Sequence, residues 1–168
     1  EALNYYVPVQ MQYSTVRYLP WLLKFYDLPE DSKFALYDSS QTVLDQLDNK
    51  IKKFGELNKL ILFFPESITL QGIIKRYWEK QAKELKTKGY TILSCVKNKS
   101  NSISGTHYID LTAEESVFLG LQCHSVYCMR NGIADLLVAK GENLHVFYPS
   151  HATWYIYSLN SMHNRSDI

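Results

Sequence analysis

Cysteine is scarce in this chain: Cys95, Cys123 and Cys128 are the three among 168 residues, no two form a C-x-x-C pair, and their number is odd. That pattern gives neither a zinc ribbon nor a disulfide framework, and it fits a reducing cytoplasm. Long apolar runs are absent too. No stretch approaches the roughly 20 residues of a membrane-spanning helix, and the start, EALNYYVPVQ, has no charged leader ahead of an apolar segment. An excess of one charge is also missing. Eighteen Lys and Arg face seventeen Asp and Glu, for a formal charge of +1. Such a balance draws no nucleic acid non-specifically, and no basic stripe interleaved with aromatics replaces it. The first residue is Glu rather than Met, which suggests a piece of a longer protein.

Several signatures of catalysis are absent. There is no G-x-S-x-G elbow, no G-x-x-x-x-G-K-[ST] loop and no G-x-G-x-x-G fingerprint. Those absences speak against a hydrolase elbow, a P-loop NTPase and a dinucleotide dehydrogenase. The histidines His107, His124, His145, His151 and His163 are scattered without helical ligand spacing beside a carboxylate, so neither a metal nor a cofactor is expected.

What is present is an ordinary globular composition, 46% hydrophobic and 21% charged, in a length that suits one domain with an extension. The composition shifts near residue 55. Residues 1–55 carry Pro8, Pro20 and Pro29 and read as an N-terminal arm. It holds a short helix over Val16–Tyr26, broken at Pro20, and a better one over Ser40–Phe54, with Val43, Leu44, Leu47, Ile51 and Phe54 at helical spacing. Residues 56–168 read as one α/β domain.

Within that domain the predicted strands are Leu60–Phe64, Tyr90–Val96, His107–Leu111, Ser125–Met129 and Leu144–Tyr148. Between them the spacing predicts helices over Gln71–Lys88, from the T-x-x-E capping box at Thr112 onward, and over Ile133–Lys140, the last ended by Gly141. Strands alternating with helices imply a doubly wound, Rossmann-like, mostly parallel five-stranded sheet in the order 3-2-1-4-5. The topological switch then falls between the first and fourth strands, where ligands bind in open α/β sheets.

Those two strand exits are the most polar in the chain. After the first come Pro65-Glu66-Ser67 and Thr69, whose hydroxyls suit either a phosphate or ribose or a plain N-cap. After the fourth come Arg130-Asn131-Gly132 and Asp135. Arg130 there suits a diphosphate, Asn131 and Gly132 a tight turn with close backbone approach, and Asp135 either orients Arg130 or binds a hydroxyl. A structural Arg130–Asp135 salt bridge is the alternative. His151 follows the fifth strand on the same edge, as a donor to phosphate or an acid or base. Trp154, Tyr155 and Tyr157 suit stacking on a base, or core packing.

The succession LILFFPES, LKTKGYTIL, ISGTHYIDLTAEE, VYCMRNGIADLLVAKGENLHVFYPS and WYIYSLNSM resembles the C-terminal half of bacterial glycosyltransferases of the GT-B fold. It is most similar to capsule and lipopolysaccharide enzymes with an R-[SN]-G-x-x-D motif after a strand, here Arg130-Asn131-Gly132 with Asp135. The resemblance implies a nucleotide-sugar donor held by Glu66, Ser67, Arg130, Asn131, Gly132 and Asp135. It also implies a further N-terminal glycosyltransferase domain, for which residues 1–55 are too few, so the chain alone is not expected to catalyse transfer. The expected place is the cytoplasm, with peripheral association of the full-length protein at the inner face of the membrane. The alternative is a non-catalytic α/β nucleotide-binding or protein-interaction domain.

Overall fold

The computed structural model describes residues 41–67 and 75–148, together with Pro29. Five strands form one sheet: β1 (Leu60–Phe64), β2 (Thr91–Cys95), β3 (His107–Ile109), β4 (Ser125–Met129) and β5 (Leu144–Phe147). All neighbours pair in parallel, in the order β3-β2-β1-β4-β5, as the sequence pattern predicts. The central strand reads LILFF and is buried throughout, as a strand covered on both faces must be.

Four α-helices are described: α1 (Gln41–Ile51), α2 (Lys75–Thr87), α3 (Ala113–Gln122) and α4 (Gly132–Leu136). The connection from β1 to β2 runs one way along the sheet, and those from β3 to β4 and from β4 to β5 run the other way. Right-handed crossovers therefore place α2 on one face and α3 with α4 on the opposite one. On the first face Trp78, Ala82 and Leu85 of α2 pack with Ile61, Phe63, Ile92 and Met129.

Local chemistry sets the helix ends. Past α2, Gly89 adopts φ 87, while Gly89 N–H donates to the Lys86 carbonyl at 3.0 Å and Tyr90 N–H to the Leu85 carbonyl at 3.3 Å. This pair of bonds around a left-handed residue satisfies carbonyls the helix leaves open, and glycine adopts the conformation without a Cβ penalty. The capping box at α3 is complete. The Thr112 hydroxyl accepts from Glu115 N–H at 3.2 Å, and a Glu115 carboxylate oxygen accepts from Thr112 N–H at 2.8 Å.

Glu115 also connects α3 to α1. Its side chain is 2% exposed and Lys50 Nζ lies 2.7 Å from each carboxylate oxygen. On α1, Leu47 and Ile51 are buried, so this part of the segment expected as an arm packs into the α/β unit. Burial pushes the Glu115 carboxyl up, but hydrogen bonds from Lys50 and Thr112 outweigh that and hold it below the ordinary value of 4.5. A depressed folded-state value gives stability that is present above the unfolded pKa and lost as pH falls through the folded one. Acid titration is thus expected to lower the melting temperature progressively below about pH 4.5. Glu115→Gln should flatten that limb, and an unchanged acid limb would remove Glu115 as its source.

Three expectations change in detail. The helix predicted over Ser40–Phe54 is α1 followed by a 3₁₀ turn at Lys52–Phe54. The helix predicted over Ile133–Lys140 ends at Leu136. Leu137 leaves helical geometry at φ −98, ψ 7, and 3₁₀ turns over Val138–Asn143 follow, with Gly141 at φ 64. The third strand stops at Ile109. The Val16–Tyr26 helix and residues 71–74 of the predicted second helix lie outside the described residues. Among the described residues no helix is long and apolar enough to cross a membrane.

Candidate functional site

The register sets the site. Phe64 pairs with Cys128, so two residues further on Glu66 comes beside Arg130. Phe63 pairs with Ser94, so three residues on Glu66 also comes beside Lys97. Three adjacent strand exits therefore bring Lys97, Glu66 and Arg130-Asn131 together: Lys97 N–H donates to the Glu66 carboxylate and Asn131 Nδ2 to the Glu66 carbonyl.

Hydrogen bonds tie the first and fourth exits together. The Ser67 hydroxyl donates to the Arg130 carbonyl at 3.1 Å. Asn131 Nδ2 donates to the Glu66 carbonyl at 3.1 Å, while Asn131 Oδ1 accepts from Ala134 N–H at 3.2 Å. Asn131 is thus the N-cap of α4, in extended geometry at φ −152, and a clasp to β1 at the same time. Arg130 N–H donates to the Phe147 carbonyl at 3.0 Å, which extends the tie to β5.

Arg130 is 8% exposed. Its Nη1 donates to Asp135 Oδ2 at 2.7 Å and to the Asn131 carbonyl at 2.9 Å, and its Nη2 donates to Asp135 Oδ1 at 2.8 Å. This is the two-pronged guanidinium–carboxylate geometry, rigid as well as strong. The Arg130–Asp135 salt bridge is therefore real, and Asp135 orients and neutralises Arg130.

Gly132 departs from its expected role. Its φ is not positive, so the turn does not require glycine; Asn131 makes the turn by capping. Among the described residues a Cβ on Gly132 meets nothing within 4 Å, so open space adjoins the backbone there.

Glu66 departs as well. Its carboxylate accepts from Asn101 Nδ2 at 2.7 Å and from Lys97 N–H at 3.2 Å, holding the connection between β2 and β3 against the first strand exit. The Asn-, Ser- and Lys-rich composition of that connection marks it as a loop in the sequence; its attachment to the crevice depends on the fold. His151, Thr69, Trp154, Tyr155 and Tyr157 lie outside the described residues.

The nearby thiol is inert. Burial pushes Cys128 up to about 12, with Arg130 lowering it and Asp135 raising it by lesser amounts. A thiol so protonated is no nucleophile at neutral pH. Among the described residues no three His, Cys, Asp or Glu side chains are grouped to hold a metal. A surface depression of about 380 Å³ between α2 and the residues before β3, lined by Glu79, Lys83, Lys86 and Gly105, lies at the opposite, amino-terminal edge of the sheet. Compared with known proteins, the chain matches no family model, no curated protein and no solved structure.

Proposed function

We propose that this chain is the donor-binding domain of a glycosyltransferase of the GT-B type. The whole protein would pass a sugar from a nucleoside diphosphate onto a surface polysaccharide at the inner face of the membrane. The observation that supports the reading is the meeting of the polar exits of β1 and β4 at the switch point, where the Ser67 hydroxyl donates to the Arg130 carbonyl and Asp135 orients Arg130. The R-N-G-x-x-D resemblance supplies the reaction class. In the transfer the bond from the anomeric carbon to the diphosphate oxygen breaks, and negative charge grows on the leaving diphosphate. Arg130, held in place by Asp135, is the group positioned to stabilise that charge without reorganising. The acceptor contacts and the base belong to the further domain that the resemblance implies.

The full engagement of Arg130 with Asp135 and of the Glu66 carboxylate with the β2–β3 connection favours a second reading, a non-catalytic nucleotide-binding or interaction domain. Sugar transfer by the full-length protein from a panel of nucleotide sugars onto a lipid-linked acceptor separates the two. Transfer that falls on Arg130 or Asp135 replacement supports the enzyme, and nucleotide binding without transfer supports the second reading.

Gly132 provides the sharper binding test. Gly132→Ala is expected to leave stability unchanged or raise it by up to about 1 kcal/mol, since alanine suits a helix better than glycine. The added methyl occupies the open space, so calorimetry with nucleoside diphosphates should show affinity at least about tenfold weaker, about 1.4 kcal/mol. Arg130→Ala should weaken it by about 1–3 kcal/mol. Undiminished binding in Gly132→Ala would place the ligand elsewhere.

A further inference from the structure

We propose that the connection between β2 and β3 is a third wall of the crevice, whose Lys97 and Lys99 ammonium groups bind the phosphates of a nucleoside diphosphate, with Glu66 as the positioning residue. The inference rests on the donor-domain reading and deepens it by naming the cations that meet the anion.

Charge distribution is the first argument. Arg130 is buried and neutralised by Asp135 through two hydrogen bonds, so it offers the ligand an oriented dipole more than a net charge. Lys97 and Lys99 are exposed, and among the described residues neither enters an ion pair. Lys97 sits on the exit next to Glu66, its N–H on the Glu66 carboxylate, while Asn131, the neighbour of Arg130, binds the Glu66 carbonyl.

Preorganisation is the second. The connection is held in one shape at several points. Its Asn101 and Lys97 N–H bind the Glu66 carboxylate, and Lys99–Asn101 form a 3₁₀ turn. Ile103 is buried and its N–H donates to the Ser94 hydroxyl at 3.2 Å. That hydroxyl lies 2.6 Å from Thr106 Oγ1, which donates to the Ile103 carbonyl at 2.8 Å. A loop already ordered loses little entropy on holding an anion.

Glu66 gives the idea a signed test. A carboxylate beside a bound diphosphate repels it, so if charge alone mattered, Glu66→Gln would strengthen binding. Glutamine keeps one acceptor oxygen and turns an NH2 toward the other donor, which releases half of the hold on the connection. A positioning role predicts weaker binding in spite of the removed charge.

The experiment is calorimetric titration of the 168-residue chain with ADP, UDP, GDP and CDP, alongside Lys97→Ala/Lys99→Ala, Glu66→Gln and Arg130→Met, with thermal melts confirming that each variant folds. The lysine pair is expected to bind the preferred diphosphate about tenfold more weakly and with a shallower salt dependence, and Glu66→Gln several-fold more weakly. Lysine-pair affinity within about twofold of the parent, with Arg130→Met still impaired, would overturn the third wall and leave the crevice reading standing. Tighter binding by Glu66→Gln would overturn the positioning role. No binding of any diphosphate by the parent chain would overturn both the crevice reading and this inference.

Discussion

Replacing Trp78 with Ala is expected to cost about 3–5 kcal/mol, the range for deleting a large buried aromatic. The indole is 1% exposed and joins three elements. Its ring centroid lies 5.1 Å from Phe63 on β1 and 5.1 Å from Phe147 on β5, the latter edge-on. Such pairs add to area burial because ring edges meet ring faces of opposite polarity. Trp78 Nε1, by contrast, has no hydrogen-bond partner among the described residues. Trp78→Phe keeps a ring and removes a donor that is desolvated without return, so it is expected to cost much less than Trp78→Ala. Urea unfolding of both variants measures the difference. Equal losses would mean that ring packing is not what holds α2 to the sheet.

Removing Asp135 should be more damaging than removing its partner. The Arg130 side chain is 9% exposed and that of Asp135 30%. Asp135→Ala leaves a buried guanidinium without its carboxylate, a class of change worth about 3–5 kcal/mol when both groups are buried. Water reaches part of Asp135, so about 2–3 kcal/mol is expected, a fall in Tm of roughly 5–10 °C. Arg130→Met leaves a carboxylate that water can solvate and fills much of the same volume, so about 1 kcal/mol is expected. Thermal melts of the two variants and of their double test the order. A larger loss in Arg130→Met would show that the guanidinium's remaining contacts, not its pairing with Asp135, dominate.

The sheet order was legible because the burial is so uniform. LILFF, TILSC and SVYCM are short apolar runs between turn residues, and right-handed crossovers then leave few ways to arrange them. The α3 start was legible for the same local reason, since Thr112 and Glu115 stand three apart. The meeting of Ser67 and Arg130 was legible, because topology alone brings the first and fourth exits together, and the Ser67 hydroxyl donates to the Arg130 carbonyl. The tasks of Glu66 and Asn131 were not legible. Their partners lie at Lys97, Asn101 and, for Asn131, at Glu66 itself, 31 to 65 residues away in the chain, and such contacts leave no trace in local spacing. The early end of α4 escaped notice because Leu136 and Leu137 continue a helical pattern. Leu137 is buried against Gly120, where an added Cβ would come within 2.8 Å of it. Tertiary packing there outweighs helix propensity.

The contact between α1 and α3 bears on where this unit can be cut. An α/β module cut at the composition shift near residue 55 would lose Lys50 and leave the Glu115 carboxylate, 2% exposed in the intact chain, without its ammonium. It would also lose Leu47 and Ile51, which are buried in the intact chain. Separating α1 from the sheet therefore uncovers apolar surface on both and removes the partner of Glu115, so the unit that folds together includes α1 as well as the sheet and its crossovers.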